Sequence, residues 1–295
     1  MHAEVGVDQG GFRELLGSIT LPAATIAVDA GHHIIGSTGP NGSVIWATDT
    51  SPQLYGNSGA AYSTALHGWL PVSPDLVAPD GLHYAYEHVD GTLRLADSTG
   101  QEVIVSNPQN LAPIAYTAAG VVLVKNANAA NGLWMLDVAS HVITQLVAPA
   151  GNDDWLEVNG ATAWGMDSPG ALGAPKPTEV LKASLTKGST AAVAFSAPAG
   201  DSIATLAADR SGGVVVVLLG ASPSVQYIDP SGAAGSAAAP SVVAVMSKGI
   251  PRHSADAHGV WFLGYAGVFL FTPGAGLQSV GPALKQDVVP AGDCV

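Results

Sequence analysis

Of 295 residues, 47% are hydrophobic and only 11% are charged, which excludes a disordered or solvating chain, because such chains combine low hydrophobicity with high charge. Ten basic residues against twenty-three acidic ones give a formal net charge of −13, so nucleic acid and anionic membrane surfaces, which bind through Lys and Arg, are poor partners. No apolar run reaches the ~18 residues of a membrane span, and no membrane insertion is expected.

The single cysteine, Cys294, leaves no intrachain disulfide and no thiolate metal cluster. It stands in a terminal tail expected to fray. Met1-His2-Ala3-Glu4 lacks the basic and apolar regions of a signal peptide. The low lysine content and Ala/Gly/Thr/Ser-rich texture resemble exported bacterial proteins, so the expected setting is extracytoplasmic, periplasmic or secreted, with any signal absent from these residues.

Along the chain one pattern recurs: a small or polar pair, a glycine, then a run of β-forming residues. The turns end at Gly31, Gly81, Gly120, Gly160, Gly212 and Gly259, at intervals of 50, 39, 40, 52 and 47 residues. Intervals near 46 residues suit the blades of a propeller. Glycine fits such turns because it takes positive φ without steric cost. A second strand follows and often closes on aspartate, at Asp49, Asp97, Asp137 and Asp229, which lie 18, 16, 17 and 17 residues past their glycines. Ser184 and Thr272 stand near that place in the other two units. An aspartate there caps the next turn through its backbone, a structural task.

A weaker outer strand, such as Glu102–Val105, and a strand before each glycine bring each unit to four. The expected fold is therefore all-β: a single β-propeller of six four-stranded blades. A seventh blade is the variant if residues 55–74 or the stretch Phe12–Leu16 supply strands, and a large β-sandwich is the alternative fold. The expected organisation is an N-terminal segment 1–20, available to close the ring on the last blade, a propeller over 21–285, and a tail over 286–295.

The stretch Ser73-Pro74-Asp75-Leu76-Val77-Ala78-Pro79-Asp80-Gly81-Leu82-His83-Tyr84-Ala85-Tyr86, followed by Gly91-Thr92-Leu93-Arg94-Leu95-Ala96-Asp97, resembles the repeat of the TolB-type, WD-like propeller family. The full motif occurs in this unit alone. The resemblance implies a propeller fold and carries over no catalytic residue.

Long connections of a propeller gather on the face that carries the inter-blade links, and long loops in compact folds are often functional. A mouth lined by Tyr55, Tyr62, His67, Trp69, Asp153, Asp154, Trp155, Arg252 and His253 is the site expected there. Against it stands the simpler reading that these aromatics pack their own loops. His33 and His83 both lie two residues past a turn glycine, but the other units hold Val122, Thr162, Val214 and Trp261 there, so a packing position is expected rather than a metal site. No metal-ligating, Walker-type or Gly-x-Ser-x-Gly signature is present, and no cofactor is expected. Asn41-Gly42-Ser43 has the form of a glycosylation acceptor.

Two functions stay open on these residues. One is a non-catalytic binding or scaffold module that recognises a protein or glycan on its long-loop face. The other is a propeller hydrolase or lyase, which requires His67, Asp153, Asp154 and His253 to converge at the central mouth.

Overall fold

A computed structural model describes residues 1–7, 13–38, 44–48, 59–88, 90–125, 131–149, 153–167, 176–246, 252–264, 267–284 and 288–292. The chain is a six-bladed β-propeller. In the first blade run β1 (His2–Val7), β2 (Arg13–Thr20), β3 (Thr25–Thr38) and β4 (Val44–Thr48). A short hairpin of β5 (Ala61–Ser63) and β6 (Gly68–Leu70) follows, and then the second blade, with β7 (His83–Glu87), β8 (Leu93–Asp97) and β9 (Glu102–Val105). The third holds β10 (Leu111–Thr117), β11 (Gly120–Lys125), β12 (Leu133–Leu136) and β13 (Ile143–Val147). The fourth holds β14 (Asp153–Asn159), β15 (Thr162–Asp167), β16 (Glu179–Ser184) and β17 (Ala192–Ser196).

The fifth comprises β18 (Asp201–Ala208), β19 (Val214–Gly220), β20 (Ser224–Ile228) and β21 (Ala234–Ser236). Helix α1 (Pro240–Met246) leads to the sixth, with β22 (Arg252–Asp256), β23 (Gly259–Gly264), β24 (Gly267–Thr272) and β25 (Gly276–Gly281), and the chain returns as β26 (Val289–Pro290).

Blades three to six are antiparallel meanders in sequence order. The second has three strands, and its innermost place is taken by a 3-10 turn at Pro74–Leu76 and by Val77, which bridges to Tyr84. Residues 61–70 thus supply a hairpin rather than a seventh blade.

The core lies between blades, because each sheet is apolar on both faces. Trp134, Leu123 and Leu136 pack with Leu93 and Leu95 between blades two and three. Trp155 and Leu181 join Val122 and Val124 between three and four, and Trp164 packs with Val214, Val216 and Ile228 between four and five. Phe262, Phe269 and Phe271 meet Val215 and Val217 between five and six, where α1 adds Met246. Each such buried side chain stabilises by roughly 1.5–3 kcal/mol over its exposed state.

Ring closure differs from the sequence expectation. β1 and β2 are integral strands of the first blade, and the closing strand comes from the C-terminal end, where β26 pairs with β1 through Ala3↔Pro290 and Glu4↔Val289. Burial explains the choice: Val288 and Ala291, on either side of β26, are wholly inaccessible. Cys294 and Asn41–Ser43 lie outside the described residues.

The turn expected at Gly31 is also corrected. β3 is a fourteen-residue strand that bulges out at residues 29–32, between the pairs Gly17↔Val28 and Leu15↔His33, and the hairpin from β2 turns at residues 21–24, with Thr20 opposite Thr25. His33 is therefore mid-strand opposite Leu15, whereas His83 opens β7, so the two are not equivalent. The local signal at Gly31 was genuine: its N–H donates to Asp29 Oδ1 at 3.1 Å, the same bond that Asp209 accepts from Ser211 at 2.9 Å in a true turn. The other five glycines sit at positive φ, from +57° at Gly160 to +140° at Gly259.

The strand-terminal aspartates are turn caps. Asp97 Oδ1 accepts from Thr99 and Gln101 N–H, Asp137 from Ser140, and Asp229 from Ser231 and Ala233. Asp49 lies outside the described residues.

Candidate functional site: the central channel

In blades three to six the innermost strand enters from an inter-blade link and leaves through a glycine turn, which gives the ring a link end and a turn end. The cavity, of about 510 Å³, belongs to the turn end. It is lined by the last residues of β10, β14 and β18, by the middle of β22, by β5, and by the segment Pro74–Gly81. Its size falls within the range of small-ligand sites.

Three titratable side chains from alternate blades meet in it. β14 presents Glu157, β22 presents His253, and the 3-10 turn of the second blade presents Asp75. His253 Nε2 and Glu157 Oε1 are 2.8 Å apart, a bond that joins blades four and six past the end of β18. The other Glu157 oxygen accepts from the Ala208 N–H at 3.5 Å.

The His253 and Glu157 side chains are 26% and 18% exposed, and Asp75 is exposed on the cavity wall. Burial, then the Glu157 charge, pushes Asp75 up to about 6, against the opposing pull of His253. Burial alone would lower His253, but the charge and hydrogen bond of Glu157, with the charge of Asp75, outweigh it and leave the imidazole raised. Tyr116, also in the wall, is raised by burial and by the nearby Asp80. Arg210 supplies a cationic side chain to the same wall.

Of the residues expected to form a mouth, only Tyr62 and His253 line this cavity. Tyr55 lies outside the described residues, as do 150–152, 168–175 and 247–251 from the long connections. Tyr62 and Trp69 do come together, at the junction of blades one and two. The Tyr62 ring stacks on His2 with centroids 3.5 Å apart, and Trp69 stands edge-on at 5.4 Å. Trp69 Nε1 donates to Asp29 Oδ2 at 3.2 Å, and the Tyr62 N–H donates to Ala291 O at 2.6 Å, so this cluster clamps the ring closure.

Trp155 is a core residue, 1% exposed, whose Nε1 donates to Asn131 O at 3.4 Å. Asp153 and Asp154 open β14 at the link end. Burial raises both carboxyls, and Asp167 across the strand pair raises Asp153 further. Arg252 is exposed at the start of β22, and His67 is exposed at positive φ in the β5–β6 turn. Among the described residues, no group of three His, Cys, Asp or Glu is placed to share a metal ion.

Sequence reasoning missed Asp75 and Glu157. Glu157 carried a signal, as the one charged side chain in the second half of a strand that ends at a turn glycine. Asp75 stood inside the quoted repeat motif.

No family model matches the chain, and no curated protein matches it in sequence. Solved structures do match in shape. A post-proline cleaving enzyme from Rickettsia typhi superposes with a TM-score of 0.50 at 8% identity, covering 97% of this chain and 53% of that one. TolB from Acinetobacter baumannii gives 0.49 at 12% identity, over 99% of this chain and 66% of that one. Prolyl oligopeptidase B from Galerina marginata, in its apo form, also gives 0.49, over 94% and 43%. The chain thus spans between 43% and 66% of these proteins. At such identities the first likeness shows the propeller fold alone. No helix of the described residues is long and apolar enough to cross a membrane.

Proposed function

We propose that this propeller is a binding module that takes a polar segment of a protein or a glycan into its central channel. One observation carries the reading: a cavity of about 510 Å³ at the turn end of the ring, with Asp75, Glu157 and His253 converging in its wall. The net charge of −13 favours partners that present cationic or neutral hydrogen-bonding groups. The link-end residues Asp153, Asp154 and Arg252 are available to a partner too large to enter the channel. The Ala/Gly/Ser/Thr-rich, lysine-poor composition supports an extracytoplasmic setting.

The test is thermal unfolding of the purified chain against oligosaccharides, short peptides, amines, small acids and divalent cations. A ligand at a hundred times its Kd adds ~2.7 kcal/mol, a visible shift. The reading expects one organic class to raise Tm in the parent protein and to lose its effect in Glu157→Gln. Equal shifts in the parent and variant would move the site away from the channel.

A second reading, hydrolase or lyase chemistry, draws on one specific feature. Asp75, raised to about 6, stands beside a carboxylate–imidazole pair, a set suited to general acid–base work. It requires turnover of a ligand that the panel identifies, abolished by His253→Gln. Binding without turnover would leave the first reading.

A further inference from the structure

The Glu157–His253 bond is unusual in what it connects. Neighbouring blades already share apolar interfaces, but β14 and β22 belong to blades separated by the whole of the fifth. The bond is a chord across the channel, and its two side chains are part of the cavity wall. Asp75 faces the pair from the second blade, so alternate blades each contribute one titratable group.

We propose that the Glu157–His253 bond is a pH-responsive latch across the channel, shut while His253 is doubly protonated and released when it loses that proton. The proposal deepens the reading of the channel as a binding site, and rests on it, by naming how access to the cavity is regulated.

With His253 protonated, the bond is charge-assisted, roughly twice as strong as a neutral one, and the imidazolium offsets the charges of Glu157 and Asp75. Loss of the proton leaves Glu157 and Asp75 facing each other as like charges in a partly desolvated space, which favours their separation. The other cationic groups near His253 are Arg252 and Arg210. Arg252 precedes it on β22 and its charge opposes protonation, while the Phe262 ring on β23 lies 6.0 Å away, tilted, and uncharged. β18 faces the pair with the Ala208 N–H, which stays on Glu157. Arg210 and Tyr116 line the cavity from the turns and strands beyond, and β26 brings only Val289 and Pro290. The raised imidazole places the change above the ordinary histidine value of 6.5.

The test requires no ligand. Ala255, in the cavity wall, is replaced by cysteine in a Cys294→Ser background, and alkylation by iodoacetamide is followed across pH. The same protein carrying His253→Gln supplies the intrinsic pH dependence of the thiol, so the ratio of the two rates reports the latch. The proposal expects this ratio to rise several-fold as pH crosses the His253 midpoint, and to stay flat when Glu157→Gln is added. Ring-proton NMR of His253 supplies the midpoint, expected to fall in Glu157→Gln. If Ala255→Cys does not fold, Thr117→Cys in the same wall replaces it. A flat ratio in the presence of Glu157, or a midpoint indifferent to Glu157→Gln, would overturn the latch. Neither result touches the binding reading, which the ligand panel decides.

Discussion

Gly160 and Gly259 occupy the same place in the repeat, the tight turn after an innermost strand, yet alanine should affect them very differently. At Gly160 φ is +57° and a Cβ would meet nothing within 4 Å. The substitution therefore meets only the left-handed conformational cost of ~1–2 kcal/mol. Restriction of the unfolded chain offsets ~0.4–1 kcal/mol of that, so a net loss of about 1 kcal/mol is expected. At Gly259 φ is +140°, and a Cβ would overlap the carbonyl oxygen of Phe271 on the paired strand. That conformation costs ~1–3 kcal/mol for a residue with a side chain. Relieving the overlap shifts backbone beside wholly buried Val260 and Phe262, at a further ~1–3 kcal/mol. The expected loss is then about 2–6 kcal/mol. Urea unfolding followed by tryptophan fluorescence separates the cases: with m near ~3 kcal/mol/M, Gly160→Ala lowers the midpoint by ~0.3 M and Gly259→Ala by ~0.7–2 M. Equal midpoints for the two variants would refute the turn geometry from which the difference is worked.

Trp155→Ala should cost ~3–5 kcal/mol and lower Tm without changing the far-UV circular dichroism of the folded protein, because Trp155 fills the core between blades three and four. Ala291→Asp sets a carboxylate in a wholly buried position beside the closing strand, and urea unfolding should show a loss of several kcal/mol. The pH dependence of Asp75 has a fixed sign. Its folded value, about 6, lies above the ordinary carboxylate value of 3.8, so the protonated form stabilises the fold at low pH and that contribution is lost as pH rises through about 6. Asp75→Asn cannot lose a proton, so its Tm relative to the parent should climb between pH ~4 and ~7 and then level off.

Much of the fold was legible because turns are local. Asp80-Gly81, Ala119-Gly120, Asn159-Gly160, Ser211-Gly212 and His258-Gly259 each end an innermost strand or segment, and the spacing from glycine to capping aspartate survives in three described blades. The first blade differs because Asp29-Ala30-Gly31 makes the local hydrogen bond of a turn within a bulge, while β2 pairs on both sides of it, at Val28 and at His33. Ring closure was illegible for a different reason: it pairs residues 3–4 with 289–290, a contact without local pattern. The cavity pairs residues 75, 157 and 253 across three blades, and strand spacing carries no information about such a meeting. The aromatics chosen for a mouth follow area rather than chemistry, and Trp69 and Trp155 both bury nearly all of theirs.

The channel as the ligand site is the central claim, and five alanine methyls in its wall report on it: Ala61, Ala78, Ala115, Ala208 and Ala255. Methyl NMR of alanine-labelled protein, titrated with whichever compound of the panel raises Tm, tests the claim most directly. Shifts are expected to concentrate on those five methyls, with Ala244 on α1 and Ala192 on the outer strand β17 unmoved. Shifts confined to methyls outside the cavity wall, with these five silent, would contradict it.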